Sequence, residues 1–235
     1  MPPSRRRAPA SRRREETAVL TVDHVGAQGD GVAFHAGRKV YAPHTAAGDV
    51  VRATIFPGNA DGDRARVEAL ITAGPGRRTP LCRHAAVCGG CAVQHLDDET
   101  YGAWKLGLLR DALARAGFPD AHIEPMATAR PGERRRARFA LLLRGRHVFA
   151  GYNQRMSKLL TDLEECPVLA APLPALLPQL RATMQEILAD GEGCDAALTL
   201  LDGGLDLLLI GPARLDLDAR MRLAAFGDAA DLARL

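Results

Sequence analysis

Apolar residues alternate with polar ones at the front of the chain and fall into a helical spacing further on. Val19-Leu20-Thr21-Val22, Val32 to Phe34, Lys39 to Tyr41, Val50 to Phe56 and Arg64 to Ile71 are short β-prone stretches. Gly26, Gly29, Gly31, Pro43 and Gly48-Asp49 punctuate them, and Gly74-Pro75-Gly76 closes the series. Closely spaced short strands with Gly and Pro turns predict a small barrel or sandwich.

A helix is predicted after the cysteine-rich segment. Asp97 is suited to the N-cap, with Asp98 and Glu99 favourable in the first turn. Tyr101, Trp104, Leu108, Leu109, Ala112, Leu113 and Ala116 share one face, which predicts a core-facing helix ended by Gly117 and Pro119. From Arg134 to Leu143 the period returns to two. Ala137, Phe139, Leu141 and Leu143 lie on one face, Arg136 and Arg138 on the other. Gly145 turns the chain into His147 to Tyr152. Pro172 to Leu188 reads as helical, with Pro178 starting a helix or breaking one. Ala197 to Leu201 and Leu205 to Ile210 flank Gly203-Gly204 as a hairpin, and Asp216 to Phe226 reads as a last helix ended by Gly227.

Composition narrows the class. The 235 residues are 47% hydrophobic, which excludes a disordered chain, and no apolar run reaches the roughly eighteen residues of a membrane span. The net charge of +3 is unevenly spread. Residues 1–14 hold six arginines and no acid and read as a disordered basic arm, whereas residues 157–235 hold six basic and thirteen acidic side chains. A basic front half is the electrostatic footprint of a nucleic-acid partner or, equally on charge alone, a solvated face.

Five cysteines without an export signal point to metal or redox chemistry in a reducing cytoplasm. Three of them form Cys82-x5-Cys88-Gly89-Gly90-Cys91, a loop whose thiolates can converge on one centre. A fourth ligand must come from Cys166, Cys194, His84 or His95. Cys166 precedes Pro167, a pairing that recurs in iron–sulfur proteins. The spacing allows an iron–sulfur cluster, a zinc site or ordinary buried thiols.

The segment Cys82-Arg-His-Ala-Ala-Val-Cys88-Gly-Gly-Cys91-Ala-Val-Gln94-His95-Leu96 resembles the four-iron cluster motif of the RNA uracil-5-methyltransferases, enzymes that use S-adenosyl-L-methionine (SAM). Thr17 to Ala73 looks like that family's TRAM domain, an OB-like barrel that binds RNA. Arg134-Arg135-Arg136-Ala-Arg138 looks like its basic strand. Gly151-Tyr152-x2-Arg155-x-Ser157 and Asp162-x3-Cys166-Pro167 look like the segment that supplies the last cluster ligand.

The resemblance implies that Cys82, Cys88, Cys91 and Cys166 hold a 4Fe-4S cluster, that Arg134, Arg135, Arg136 and Arg138 hold RNA phosphates, and that Cys194 has neither role. It implies an α+β fold class: a small OB-like β-barrel, then an iron–sulfur loop and helix segment, then a mixed β/α central domain. The expected boundaries are 1–14 for the arm, 15–76 for the barrel, 77–125 for the cluster segment and 126–235 for the central domain. The family's SAM-binding Rossmann-like domain, with its nucleophilic cysteine and general base, is expected to be absent, so the chain reads as a truncated, split or degenerate member. Cys194, beside Glu192 and Asp195, is poorly placed to become a thiolate, and no catalytic residue is assigned. SAM is expected only with the missing domain. The implied protein is a cytoplasmic monomer that binds rRNA or tRNA and no membrane. The rival readings are a non-catalytic RNA-binding protein of the same ancestry and a zinc-stapled nucleic-acid-binding module.

Overall fold

The structure, a computed structural model, describes residues 14–211 and 215–235. The arm expected over 1–14 lies outside the described residues except for Arg14. The chain divides into two compact units. One comprises the chain up to Thr79 with Ala92–His122, and the other comprises Pro80–Cys91 with Ile123–Leu235.

The first unit is a closed barrel of β1 (Glu16–Val25), β2 (Gly31–His35), β3 (Arg38–Ala42), β4 (Val50–Asn59) and β5 (Gly62–Thr72), in the order β1-β2-β3-β5-β4. Its pairings are antiparallel except β3 with β5, where Val40 meets Asp63 and Tyr41 meets Arg64. Alternate residues point inward, so Leu20, Ala33, Val40, Ala42, Val51, Ala53, Ile55 and Ala65 fill the lumen. Four alanines among these eight suit a narrow barrel that has no room for larger side chains.

A buried carboxylate pins the loops at one end of the barrel. Asp49 accepts from the Ala46 amide at 2.7 Å, the Gly74 amide at 2.8 Å and Arg77 Nη1 at 2.5 Å. Its charge is paired and its oxygens are satisfied, the condition under which burying a charge is tolerable.

Helix α1 (Asp98–Arg115) belongs to this unit. Asp97 caps it by accepting from the Thr100 amide at 2.7 Å. Contrary to the core-facing helix expected, no α1 residue is buried. Trp104 is half-buried and donates from Nε1 to the Gly26 carbonyl at 3.1 Å, while the half beyond Leu108 is exposed except for Leu113.

The second unit is one six-stranded sheet in the order β11-β10-β9-β6-β7-β8. Its strands are β6 (Arg136–Arg144), β7 (His147–Asn153), β8 (Leu160–Asp162), β9 (Gly193–Leu201), β10 (Gly204–Ile210) and β11 (Leu232–Arg234). Every pairing is antiparallel except β10 with β11. Phe139, Leu141, Leu143, Val148, Ala150, Ala196, Leu198 and Leu207 form one apolar face. Helices α2 (Pro172–Ala175), α3 (Leu177–Gln185) and α4 (Leu217–Ala229) add Leu173, Leu177, Leu180, Met184, Leu223 and Phe226 to that core. Pro178 lies in the first turn of α3, where its missing N–H costs nothing. Helix α4 runs through Gly227 instead of ending there.

The expected fold class is corrected on one point. The small barrel and the mixed sheet with helices are present, but the cysteine loop and α1, expected as one segment, divide between the two units. The cysteine loop joins the six-stranded sheet because Cys88 pairs with Gln154 and the Gly89 amide donates to Asn153 O at 3.0 Å. Helix α1 joins the barrel because Trp104 is bonded to a barrel loop and Asp97 N donates to Gly76 O.

Candidate cysteine site and basic strand

The cysteine loop has little regular structure and folds on its own backbone. Ala85 N donates to Cys82 O, and Val87 N and Cys88 N both donate to His84 O. Glycine is required at Gly89, where a Cβ would stand 2.5 Å from the Asn153 carbonyl, and fits closely at Gly90, where a Cβ would stand 3.1 Å from the Tyr152 ring. The loop can lie against β7 because Gly89 lacks a side chain.

Cys166 follows β8, and the structure brings its thiol within electrostatic range of the loop. None of the five cysteines forms a disulfide. Burial pushes the Cys166 thiol up, the amides of Val168 and Leu169 partly offset this, and the charges of Cys91 and Cys82 add to the rise. Burial likewise raises Cys88, against a hydrogen bond from the Gly90 amide at 3.4 Å, and Cys91 and Cys82 again add to it. Tyr152 lies over the same group. Its phenol is pushed up to about 12, first by burial and then by Cys166, with Cys88 and Cys91 contributing.

Among the described residues, no three His, Cys, Asp or Glu side chains stand ready to hold one metal ion. The donor chemistry nevertheless suits a soft centre. Cys88 and Cys166 each interact electrostatically with Cys82 and Cys91, both receive amide N–H groups, and glycines follow Cys88.

The alternative candidates for the fourth ligand make other contacts. His84 Nε2 accepts the Glu164 amide at 3.3 Å. His95 is buried and Nε2 donates to Thr45 O at 3.0 Å. Burial drives its pKa down to about 4, so it is neutral near pH 7. Cys194 sits in β9 opposite Leu141, with its thiol pushed up to about 11 by burial and then by Asp195 and Glu192. That environment disfavours a nucleophile.

The four arginines differ once folded. Arg136 and Arg138 lie on the exposed face of β6, as alternation predicts. Arg138 is paired with Asp195 at 2.6 Å, and Arg135 bonds Asp202 at 2.8 Å and Leu200 O at 2.9 Å. Arg134 donates from Nε to Arg136 O, and no carboxylate pairs with Arg134 or Arg136 among the described residues.

The barrel carries a second basic surface that sequence reasoning did not resolve. The Arg64 guanidinium sits 4.8 Å from the Tyr41 ring centre, and that of Arg66 sits 5.4 Å from Phe56. An open cavity of about 460 Å³ is lined by Gly37, Arg38, Lys39, Tyr41, Ala60, Asp61 and Gly62. The signal is the period-two placing of Arg64 and Arg66, legible only once Phe56 is known to pair with Arg64.

No protein-family model matches the chain. A Brucella suis protein described as an uncharacterized RNA methyltransferase is 38% identical over 221 residues, which is 94% of this chain and 52% of the relative. The chain is similar to RNA methyltransferases over nearly its whole length. A second relative, from Shewanella piezotolerans, is a 23S rRNA (uracil(1939)-C(5))-methyltransferase, 32% identical over 213 residues, 89% of this chain and 47% of the relative. The chain thus spans about half the length of the curated relatives it matches. Among solved structures, the tRNA (uracil-54, C5)-methyltransferase of Pyrococcus abyssi in complex with S-adenosyl-L-homocysteine overlays 86% of this chain and 48% of its own. The TM-score is 0.58 at 19% identity, a likeness of fold. This comparison corrects the expected fold class on a second point, the absence of a SAM-binding domain. The chain overlays about half of a methyltransferase solved with S-adenosyl-L-homocysteine, so the expected absence of a SAM-binding domain is not carried forward.

Proposed function

We propose that this chain is the RNA-holding, cluster-bearing part of an RNA (uracil-5-)-methyltransferase that uses SAM as methyl donor and acts on rRNA or tRNA as a cytoplasmic monomer. The observation that carries the reading is that one compact unit holds both the four thiols and the arginine strand, in a chain similar along 94% of its length to an RNA methyltransferase. No helix of the described residues is long and apolar enough to cross a membrane.

In this reading Cys82, Cys88, Cys91 and Cys166 hold a 4Fe-4S cluster. What supports one shared centre is that Cys88 and Cys166 each interact electrostatically with Cys82 and Cys91. Bound there, the cluster would supply a covalent cross-link between the loop and the segment after β8. Arg134 and Arg136 are free of carboxylates and take phosphates directly. Arg135 and Arg138 exchange exposed, individually weak ion pairs for phosphate. The barrel is a TRAM-type RNA-binding domain, with Tyr41 and Phe56 under Arg64 and Arg66 as its basic, aromatic surface.

The test has two arms. Purified chain should bind rRNA or tRNA with an affinity that falls steeply with salt, because each neutralised phosphate releases counterion. The protein carrying this chain, given labelled SAM and unmodified RNA, should place label on carbon 5 of uridine. Salt-insensitive binding, or label on another atom, overturns the proposal.

A further inference from the structure

We propose that Arg83 and His84 clamp the Cys166 arm onto the cysteine loop, so that the protein itself positions the fourth thiol before any metal is bound. The inference rests on reading Cys82, Cys88, Cys91 and Cys166 as one ligand set.

Arg83 Nη1 lies 2.5 Å from Glu164 Oε2, and its Nε lies 3.5 Å from Glu165 Oε1. One guanidinium therefore spans two neighbouring carboxylates, the first of them 81 residues further along the chain. The neighbouring His84 accepts the Glu164 amide on Nε2. Each half of the clamp adjoins a thiol in sequence, since Arg83 follows Cys82 and Glu165 precedes Cys166. A contact made here sets the separation of those two cysteines more directly than any contact in the sheet core.

The arm is anchored on both sides of the clamp. Behind it, Asp162 accepts from the Ala150 amide at 2.9 Å and from Arg181 at 2.7 Å, and lies 2.6 Å from His147 Nε2. Arg181 also donates to Leu163 O at 2.7 Å. Ahead of it, the Arg134 amide donates to Val168 O and the Ala170 amide to Arg134 O. Between Leu163 and Val168, Cys166 packs against the sheet core, and Arg83 and His84 tie the adjoining Glu164 and Glu165 to the cysteine loop.

Exposed ion pairs contribute little to global stability, and Arg83 and Glu164 are exposed. The clamp therefore governs a local opening and leaves the fold unaffected. That separation makes it testable by backbone hydrogen exchange, which reads local opening directly.

The experiment uses the full chain, metal-free and reduced, as wild type, Arg83→Glu and the charge-swapped Arg83→Glu/Glu164→Arg. Arg83→Glu should speed exchange in the peptide containing Glu164 to Leu169 by about three- to ten-fold and leave the β6 and β7 peptides unchanged. The swap should restore the slow rate. After loading with ferrous iron and sulfide, Arg83→Glu should lose iron to a chelator faster than wild type, and the swap should again restore it. Unchanged exchange in Arg83→Glu, or a swap that restores nothing, overturns the clamp. If wild type takes up no iron and shows no absorbance near about 400 nm, the ligand-set reading fails instead, and the exchange comparison still decides whether the clamp exists.

Discussion

Arg134 and Leu169 face each other as an isolated parallel β-bridge, three residues beyond Cys166 and two residues before β6 begins. The bridge ties the segment carrying Cys166 to the strand carrying Arg136 and Arg138 through backbone hydrogen bonds alone. Whatever holds Cys166 therefore also bears on where the arginine strand starts.

Replacing Cys166 by Ala should abolish iron binding, whereas Cys194→Ala should leave it intact. Cys166 interacts electrostatically with Cys82 and Cys91, and Cys194 does so only with Asp195 and Glu192. Iron and sulfide analysis of anaerobically reconstituted protein checks this, and equal iron in the two variants refutes the ligand set.

The two glycines of the loop should differ in their tolerance of alanine. At Gly89 the added carbon meets the Asn153 carbonyl, which is fixed in the sheet, at 2.5 Å. At Gly90 it meets a Tyr152 ring edge at 3.1 Å, which can yield by a few tenths of an ångström. Gly89→Ala should lose most of its iron under conditions in which Gly90→Ala keeps most. Iron content after gel filtration reads the difference.

Among the arginines, Arg136→Ala should weaken RNA binding more than Arg138→Ala. Arg136 has no carboxylate to leave, and Arg138 must first part from Asp195. Arg136→Ala should also reduce the slope of log affinity against log salt by about 1, alike for unrelated RNA sequences. Binding titrations at several salt concentrations check both the order and the slope.

His95 makes folding sensitive to acid. Unfolded, it binds a proton near pH 6.5, and folded, only near pH 4, because burial penalises the charged ring. As pH falls between those values the unfolded state gains the proton first, so stability present at neutral pH declines and reaches its full loss below about pH 4. The whole effect is on the order of 3 kcal/mol. Denaturant titrations at pH 7 and pH 5 should show His95→Gln with a smaller difference between the two than wild type. An identical difference would place the acid sensitivity between pH 7 and pH 5 at a group other than His95.

Local order was legible wherever one short stretch carried its own signal. The period-two runs at Val19, Val50 and Arg134 mark β1, β4 and β6, Asp97 caps α1, and Gly203-Gly204 turns β9 into β10, because alternation, capping and turn chemistry act over a few neighbours. Spacing and resemblance single out the four cysteines and four arginines as candidates. Only the tertiary structure decided what depends on partners far along the chain. The three-residue strands β8 and β11 carry no period of their own and exist because β7 and β10 offer them an edge. Helix α1 has an apolar stripe, yet none of its residues is buried, so periodicity alone overstated its burial. Arg135 and Arg138 look like Arg136 in sequence, yet pairing of β6 with β9 sets Asp195 and Asp202 beside them. Asp195 is 57 residues from Arg138, and register over that separation is fixed by the apolar face of the whole sheet, which no local pattern contains.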